Sequence, residues 1–392
     1  MIKISSTYLR WAFLSTLSGL LSGTAGTLFL YLLDWATKTR DTHTEIIWLL
    51  PIAGLLIGLI YHHFGKDISA GNTLILEEIH DPKKITPLYM TPFILIGTIL
   101  THLFGGSAGR EGTAVQMGAS LSDQLSHIFK ISPEERKILL IAGTGAGFGA
   151  AIGAPVAGML FGMEVIWLKK IRLIAWFQCL IASFAGYYTT IFLHAPHTHY
   201  PAIVIPSMSL KLLFFIALSG IVFGLAARVF CILTHGVEKI FSYLSYPPLR
   251  PFFAGFILIG AYQLIGTYQY AGLGISTIQH ALHIPAHYTD PALKTLFTAL
   301  TVGSGFKGGE FIPLVFIGTT LGSALSLILP VSCGLLAVAG FAAVFGAAAN
   351  TPIACTLMAM ELFGYEVAPY ALLACVMSYY VSGRHSIYKG QR

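Results

Sequence analysis

The sequence contains an internal repeat. Residues 142–165 read AGTGAGFGAAIGAPVAGMLFGMEV, and residues 339–362, which lie 197 positions further along, read AGFAAVFGAAANTPIACTLMAMEL. The two segments share an Ala-Gly start, a central Phe-Gly-Ala-Ala run, a proline and a final Met-Glu pair. Repeats of this kind indicate structural halves that bury a site between them. The sequence therefore predicts two related halves, approximately 10–195 and 208–388.

Long apolar segments make up most of the remaining chain. Only 10% of the 392 residues are charged, whereas soluble proteins carry about 25% charged residues. The composition excludes a soluble enzyme, a disordered chain and a nucleic-acid binder, and it predicts an all-α polytopic membrane protein. We expect helices within residues 11–33, 46–60, 87–103, 139–168, 171–193, 210–233, 252–265, 291–301, 314–330, 333–348, 352–363 and 368–381.

Several of these segments are too short to cross a bilayer or are interrupted by glycine and proline. Broken helices are tolerated at membrane depth only where protein or a water-filled cavity surrounds the free backbone groups. In transporters, paired interrupted segments in the two halves mark the binding site, and inverted halves are more typical than parallel ones. We therefore expect a single ion-transport domain over residues 1–392, although the sequence alone leaves the orientation of the halves open.

The few charged connections predict how the chain lies in the membrane. Lys3 and Arg10 precede the first apolar segment, which is too long for a signal-peptide core, and this favours a cytoplasmic N-terminus. The connection 194–206 lacks Lys and Arg and is expected outside, with solvated histidines rather than a metal site. No soluble regulatory domain is expected, and other charged connections are predicted at 66–67, 81–84, 132–137, 169–172 and 384–392.

The cysteines do not suggest a metal or redox centre. All five lie in apolar segments without a CxxC pattern: Cys179, Cys231, Cys333, Cys355 and Cys375. We interpret them as small buried hydrophobic side chains rather than as disulfide partners or metal ligands. The sequence predicts neither a metal nor a cofactor.

Four glutamates interrupt the apolar repeat segments: Glu111, Glu164, Glu310 and Glu361. A carboxylate at membrane depth costs about 2.5 kcal/mol or more, so it must be paired, protonated or functional. Glu164 and Glu361 occupy matching ends of the repeated segment. We expect these two to hold neighbouring backbone amides, and a role in transport is the alternative.

Glu111 and Glu310 each follow glycines at the start of an apolar segment, where a helix N-terminus presents free N–H groups to a small anion. A carboxylate there can occupy the anion site and leave it when protonated. Both residues are therefore candidate gates or proton carriers. The structural alternative is an ion pair, with Arg110 and Lys307 as the available partners.

Two motifs resemble those of a known family. Residues 105–116, GGSAGREGTAVQ, resemble the glutamate-gate motif of the CLC chloride channels and chloride/proton antiporters, and residues 308–313, GGEFIP, are similar to their second anion-binding loop. Tyr388 falls where the family has its central tyrosine. The resemblance implies a homodimer with one pore per subunit, two inverted halves of tilted and broken helices, and Glu111 as the movable gate.

Departures from the usual motifs point to one branch of that family. The first anion loop reads GNTLI at residues 71–75 instead of GSGIP, so Asn72 replaces the chloride-binding serine. Thr113 replaces a proline, Val165 replaces an inner proton-relay glutamate, and Glu310 replaces an apolar residue. Together these changes resemble the fluoride/proton antiporters. The resemblance implies anion binding by Asn72, Thr73, Arg110, Gly112, Glu310, Phe311, Ile312 and Tyr388, although Ile312 is a possible departure from that branch.

The sequence thus predicts fluoride export in exchange for protons, in a prokaryotic inner membrane. Fluoride is a strong hydrogen-bond acceptor, and the Asn72 amide offers two donors. A chloride/proton antiporter or a voltage-gated-type chloride channel is the alternative. An intramembrane enzyme is disfavoured, because the sequence has no Ser/His/Asp or HExxH constellation.

Overall fold

A computed structural model describes residues 2–166 and 173–391. The predicted charged connection 169–172, the adjoining ends of two apolar segments and the side chain of Lys3 lie outside the described residues. The described part is helical throughout and contains no β-strand beyond an isolated bridge between Gly109 and Gly309.

Sixteen α-helices form this described part: α1 Ile2–Thr42, α2 Leu50–Phe64, α3 Asn72–His80, α4 Met90–Leu103, α5 Glu111–Ile128, α6 Pro133–Ile152, α7 Pro155–Glu164, α8 Trp176–Phe192, α9 Leu210–Ser242, α10 Leu249–Ile265, α11 Ile275–Ala281, α12 Asp290–Gly303, α13 Phe311–Leu325, α14 Cys333–Ala349, α15 Pro352–Phe363 and α16 Ala368–Ser382. Short 3₁₀ helices cover Thr44–Leu49, Lys66–Ile68 and Tyr365–Val367.

The helices follow the same order twice, so that α1–α8 correspond to α9–α16. The repeated sequence forms α6 and α7 in the first half and α14 and α15 in the second. The last residue of α7, Glu164, contacts the first turn of α15, while Glu361 near the end of α15 contacts the first turn of α7. Helices α7 and α15 are therefore antiparallel, as the inverted arrangement requires.

Matched glycines let the helices of each half pack backbone to backbone. A Cβ atom on Gly118 of α5 would collide with the carbonyl oxygen of Gly143 on α6. At the corresponding place in the second half, a Cβ on Gly318 of α13 would collide with the carbonyl of Gly340 on α14. Small residues commonly allow membrane helices this close approach. Both halves thus use the same close crossing to hold the helix that leads into the site.

Three described helices are long and apolar enough to cross a membrane, namely Thr7–Thr42, Thr44–Phe64 and Leu210–Ser242. Five shorter apolar helices also occur among the described residues. This mixture agrees with the expected tilted and broken helices. The first of the three spans includes the predicted segment 11–33, although the helix continues well beyond it in both directions.

The apolar segments did not predict every helix. None of these segments covers α3, α5 or α11, although a helix start is predicted at Glu111, and one segment spans both α6 and α7. Helix α5 carries many polar side chains, yet nearly all of its residues are buried by other helices rather than by lipid. The break between α6 and α7 lies at Gly153, which adopts a positive φ of 84° and ends α6 just before Pro155.

Candidate functional site

The two predicted anion loops meet at a backbone bridge. The amide of Gly109 donates to the carbonyl of Gly309 at 2.5 Å, and the amide of Gly309 donates back to Gly109 at 2.8 Å. A Cβ on Gly309 would lie only 2.7 Å from the amide nitrogen of Gly112, so a side chain would not fit there. The bridge consequently brings the N-termini of α5 and α13 together, and both have the exposed N–H groups that attract anions.

Glu111 lies at the start of α5, as the sequence predicted, and only 1% of its surface is exposed. One carboxylate oxygen accepts the backbone N–H of Arg110 at 3.2 Å, and the other accepts its guanidinium Nε–H at 3.1 Å. The carboxylate therefore occupies a helix N-terminus and also forms the ion pair that was the structural alternative. The gate interpretation and the ion-pair interpretation of Glu111 are therefore compatible, because Arg110 supplies both the backbone N–H and the guanidinium.

Glu310 is the N-terminal cap residue of α13 and is half-buried. Within the described part of the chain, its carboxylate forms no salt bridge and accepts no hydrogen bond from another residue. Lys307 is not its partner, because the Lys307 ammonium lies 4.0 Å from the centre of the Tyr61 ring in a cation–π contact. Glu310 is thus the less constrained of the two candidate carboxylates.

The first anion loop also reaches this place. Gly71 has a φ of +57°, and the chain then enters α3 at Asn72. The Asn72 Nδ2 atom lies 3.2 Å from the position that a Cβ on Gly112 would take, and the Asn72 Oδ1 is buried with no hydrogen-bond partner among the described residues. Thr73 follows on α3 and is half-buried. The asparagine amide therefore lies beside the N-terminus of α5.

The other predicted anion-binding residues, Phe311, Ile312 and Tyr388, lie around the same glycine bridge. Phe311 and Ile312 are buried in the first turn of α13, and the Phe311 ring packs edge-on against Phe345 with ring centres 4.6 Å apart. Tyr388 is 8% exposed and lies within electrostatic reach of Glu310 and Glu111. The structure thus gathers residues from α3, α5, α13 and the C-terminal region around the glycine bridge.

Glu164 and Glu361 have the predicted structural role. The Glu164 carboxylate accepts the amides of Ile353 and Ala354 at 3.1 and 2.7 Å. Reciprocally, Glu361 accepts the amides of Val156 and Ala157 at 2.9 and 2.8 Å. Glu164 is buried, whereas Glu361 is exposed in the single chain. These carboxylates cap helices across the two halves and are already satisfied.

The connection 194–206 partly contradicts the expectation of solvated histidines. His194 and His199 are exposed, but His197 is half-buried and its Nε2 lies 3.0 Å from the Thr190 hydroxyl. Burial, together with the nearby Arg110 guanidinium, lowers the pKa of His197 to about 4. This part of the connection packs against α8, so His197 is only partly solvated, whereas His194 and His199 are solvated as expected.

The same connection contributes a contact that the sequence did not reveal. Arg110 donates from Nη2 to the Thr198 hydroxyl at 3.1 Å, in addition to its contact with Glu111. Thr113, the departure from the usual proline, places its hydroxyl 2.7 Å from that of Thr98. No local motif marks Thr198 or Thr98, because both are brought to the site from other elements by the fold.

The cysteines lie in buried or partly buried positions, as expected for small hydrophobic side chains. All five thiols are free; Cys179, Cys231, Cys355 and Cys375 are buried, and Cys333 is partly so. They lie among helices as small apolar side chains.

The fold brings the N-termini of two equivalent helices together at the glycine bridge, an arrangement whose free N–H groups suit a small anion. A family model described as voltage gated chloride channel matches residues 53–383. A chloride/fluoride channel protein of Pseudomonas syringae pv. tomato is 47% identical over 98% of this chain and 86% of its own length. The H(+)/Cl(-) exchange transporter ClcA of Vibrio vulnificus is 27% identical over 98% of this chain and 89% of its own.

Solved structures of anion/proton antiporters also match this fold. A crystal structure of a CLC-type fluoride/proton antiporter matches with a TM-score of 0.95 and 30% identity, covering 98% of both chains. A slow cyanobacterial Cl-/H+ antiporter has the same fold, with a TM-score of 0.82 at 22% identity over 95% of this chain and 94% of its own. The chain belongs to the voltage-gated chloride channel (CLC) family. It is a multi-pass membrane anion transporter of that family, and the expected family and fold class are confirmed.

The reciprocal capping carboxylates give a stability prediction. Glu164→Gln keeps one acceptor oxygen and replaces the other by an amide that faces a backbone N–H, so one buried amide of α15 loses its partner. We expect a loss of about 1–3 kcal/mol of stability, measured as a lower melting temperature of the purified protein in detergent.

The matched control is Glu366→Gln, because Glu366 is exposed on the 3₁₀ helix Tyr365–Val367. We expect its melting temperature to stay near that of the unchanged protein. Equal melting temperatures for the two variants would contradict the capping role of Glu164.

Proposed function

We propose that this chain exports fluoride in exchange for protons, as a homodimer in a prokaryotic inner membrane. The whole of residues 1–392 would form one ion-transport domain with inverted halves at 10–195 and 208–388. One observation carries the proposal: two carboxylates, Glu111 and Glu310, lie at helix N-termini that are joined by the Gly109–Gly309 bridge. Both are therefore beside the same place in the molecule.

Glu111 acts as the gate and proton carrier. As a carboxylate it is held by the Arg110 backbone amide and guanidinium. Protonation removes its charge and weakens both contacts, because hydrogen bonds to charged acceptors are about twice as strong as those between neutral groups. The neutral side chain then leaves the helix N-terminus and the anion takes its place. Each cycle of the gate thus couples an anion to a proton.

The anion site is formed by groups that donate hydrogen bonds. The Asn72 amide lies against Gly112, and the amides at the start of α13, at Phe311 and Ile312, belong to a helix N-terminus. Arg110 and Thr73 flank this site, and Tyr388 lies within electrostatic reach of both carboxylates. Fluoride has a higher charge density than chloride and gains more from several short N–H contacts. This donor set favours fluoride.

Glu310 supplies a second proton site. The chloride antiporters that this chain resembles carry an inner relay glutamate at the position of Val165, which is a buried apolar residue here. The unpaired Glu310 carboxylate is available for that role, because no salt bridge within the described residues holds it. A proton route through Glu310 and Glu111 stays beside the anion route.

Replacing the gate carboxylate tests proton coupling. Glu111→Gln keeps the shape of the side chain and removes its ability to carry a proton. We expect proton flux to fall by about a hundredfold or more, measured as the pH change inside proteoliposomes with a fluoride gradient. Glu45→Gln is the control, because Glu45 is exposed on the 3₁₀ helix Thr44–Leu49. Proton flux at the unchanged rate in Glu111→Gln would remove Glu111 from the gate role.

Replacing the loop asparagine tests selectivity. Asn72→Ser substitutes one hydroxyl donor for two amide donors, and hydrogen bonds to charged groups contribute about 1.5–3 kcal/mol. We expect the ratio of fluoride to chloride flux to fall by about tenfold, measured with ion-selective electrodes. Gln263→Ser makes the same change of group at an exposed position of α10 and should leave the ratio unchanged. An unaltered ratio in Asn72→Ser would show that selectivity lies elsewhere.

The alternative function is a chloride/proton antiporter or a voltage-gated-type chloride channel. The name of the Pseudomonas relative, a chloride/fluoride channel protein, includes both anions and a channel and supports this alternative. The two mechanisms differ in one observable property. An antiporter drives protons uphill when an anion gradient is imposed, whereas a channel only dissipates the anion gradient.

A further inference from the structure

The segment 384–391, called here the C-terminal segment, ends in a glutamine whose side-chain amide is fully used. The Gln391 Nε2 donates to the carbonyl oxygens of Val165 and Ala349 at 2.8 and 2.7 Å. Its Oε1 accepts from the Asn350 amide at 3.0 Å and from the Ser386 hydroxyl at 2.6 Å. A primary amide has two donors and two acceptor positions, and all four are occupied.

The two carbonyls that Gln391 binds belong to helix ends in different halves. Val165 is the C-terminal cap residue of α7, and Ala349 is the last residue of α14. The last carbonyls of a helix have no partner inside the helix and must be satisfied by other groups. The C-terminal segment also supplies the Ile387 amide, which donates to the carbonyl of Ala348 at 2.9 Å. The segment therefore caps α14 and connects it to α7.

Gln391 is linked to Tyr388 through a single side chain. The Ser386 hydroxyl that donates to Gln391 also accepts the backbone N–H of Tyr388 at 3.0 Å. On the other side, a Cβ on Gly390 would lie 2.8 Å from the Cβ of Leu76, so the segment packs directly against α3. Tyr388 is thus held between α3 and the ends of α7 and α14.

We propose that Gln391 is a positioning residue that fixes Tyr388 beside the anion pathway. It does so by holding the C-terminal segment against the end of α7 at Val165. Its amide does not ionise, so the connection between α7 and α14 persists while nearby carboxylates gain and lose protons. A fixed Tyr388 limits the passage of anions that have not been exchanged for a proton. The transport consequence rests on the proposed proton-coupled function, whereas the structural consequence does not.

The test uses Gln391→Leu, which has a similar size and removes all four hydrogen bonds. Losing the partners of two carbonyls should make amide hydrogen exchange in the C-terminal segment about tenfold faster, measured by mass spectrometry on the full chain. In proteoliposomes, the ratio of anion flux to proton flux should rise, because anions pass without a coupled proton.

Lys389→Ala is the matched control in the same segment. The Lys389 ammonium forms a salt bridge with Glu238, and both side chains are about half exposed. Exposed pairs of this kind contribute little, so we expect exchange and flux ratio near those of the unchanged protein. Gln391→Leu results equal to those of Lys389→Ala would overturn the proposal.

Ser386→Ala provides a milder variant for the case in which Gln391→Leu does not fold. It removes one bond to Gln391 and the acceptor of the Tyr388 amide, so exchange in the segment should rise by a smaller factor. Unchanged exchange in Ser386→Ala would then overturn the proposal. If the unchanged protein shows no proton-coupled flux, the proposed function fails, and the exchange measurement alone still decides whether Gln391 positions the segment.

Discussion

The pair of backbone hydrogen bonds between Gly109 and Gly309 is the contact on which the site depends. It joins the loops that lead into α5 and α13, so the N-termini of two equivalent helices meet at one place. A side chain at Gly309 would collide with the start of α5, and the contact therefore requires glycine. The position of both candidate carboxylates follows from this contact, because each lies within two residues of it.

Three of the glutamates that the repeat segments contain differ in how they are held. Glu164 accepts two backbone amides from the first turn of α15, one on each carboxylate oxygen. Glu111 is held by one neighbouring residue, and Glu310 by none within the described chain. All three carry the cost of a carboxylate in a membrane. Glu164 is held by a distant helix of the other half, whereas Glu111 is held only by its own chain neighbour and Glu310 by no other described residue, as the proposed gate and proton carrier require.

The sequence predicted the two halves, the helix starts at Glu111 and Glu310 and the capping role of Glu164, because each of these features is encoded within a short segment. Hydropathy did not mark the length of α5 beyond its start at Glu111, since hydropathy detects contact with lipid and α5 is mostly buried by protein. Contacts such as Arg110 with Thr198, or Gln391 with Val165, join residues far apart in the chain. No local pattern encodes them, and they become visible only in the folded structure.

The central claim is that protons entering through this protein drive fluoride out. The most direct measurement places the unchanged protein in liposomes with equal fluoride on both sides and imposes a pH gradient, while electrodes record fluoride and chloride. We expect fluoride to move against its own developing gradient, a protonophore to stop this movement, and chloride to move far more slowly. Chloride transport as fast as fluoride transport, or fluoride movement that ignores the pH gradient, would contradict it.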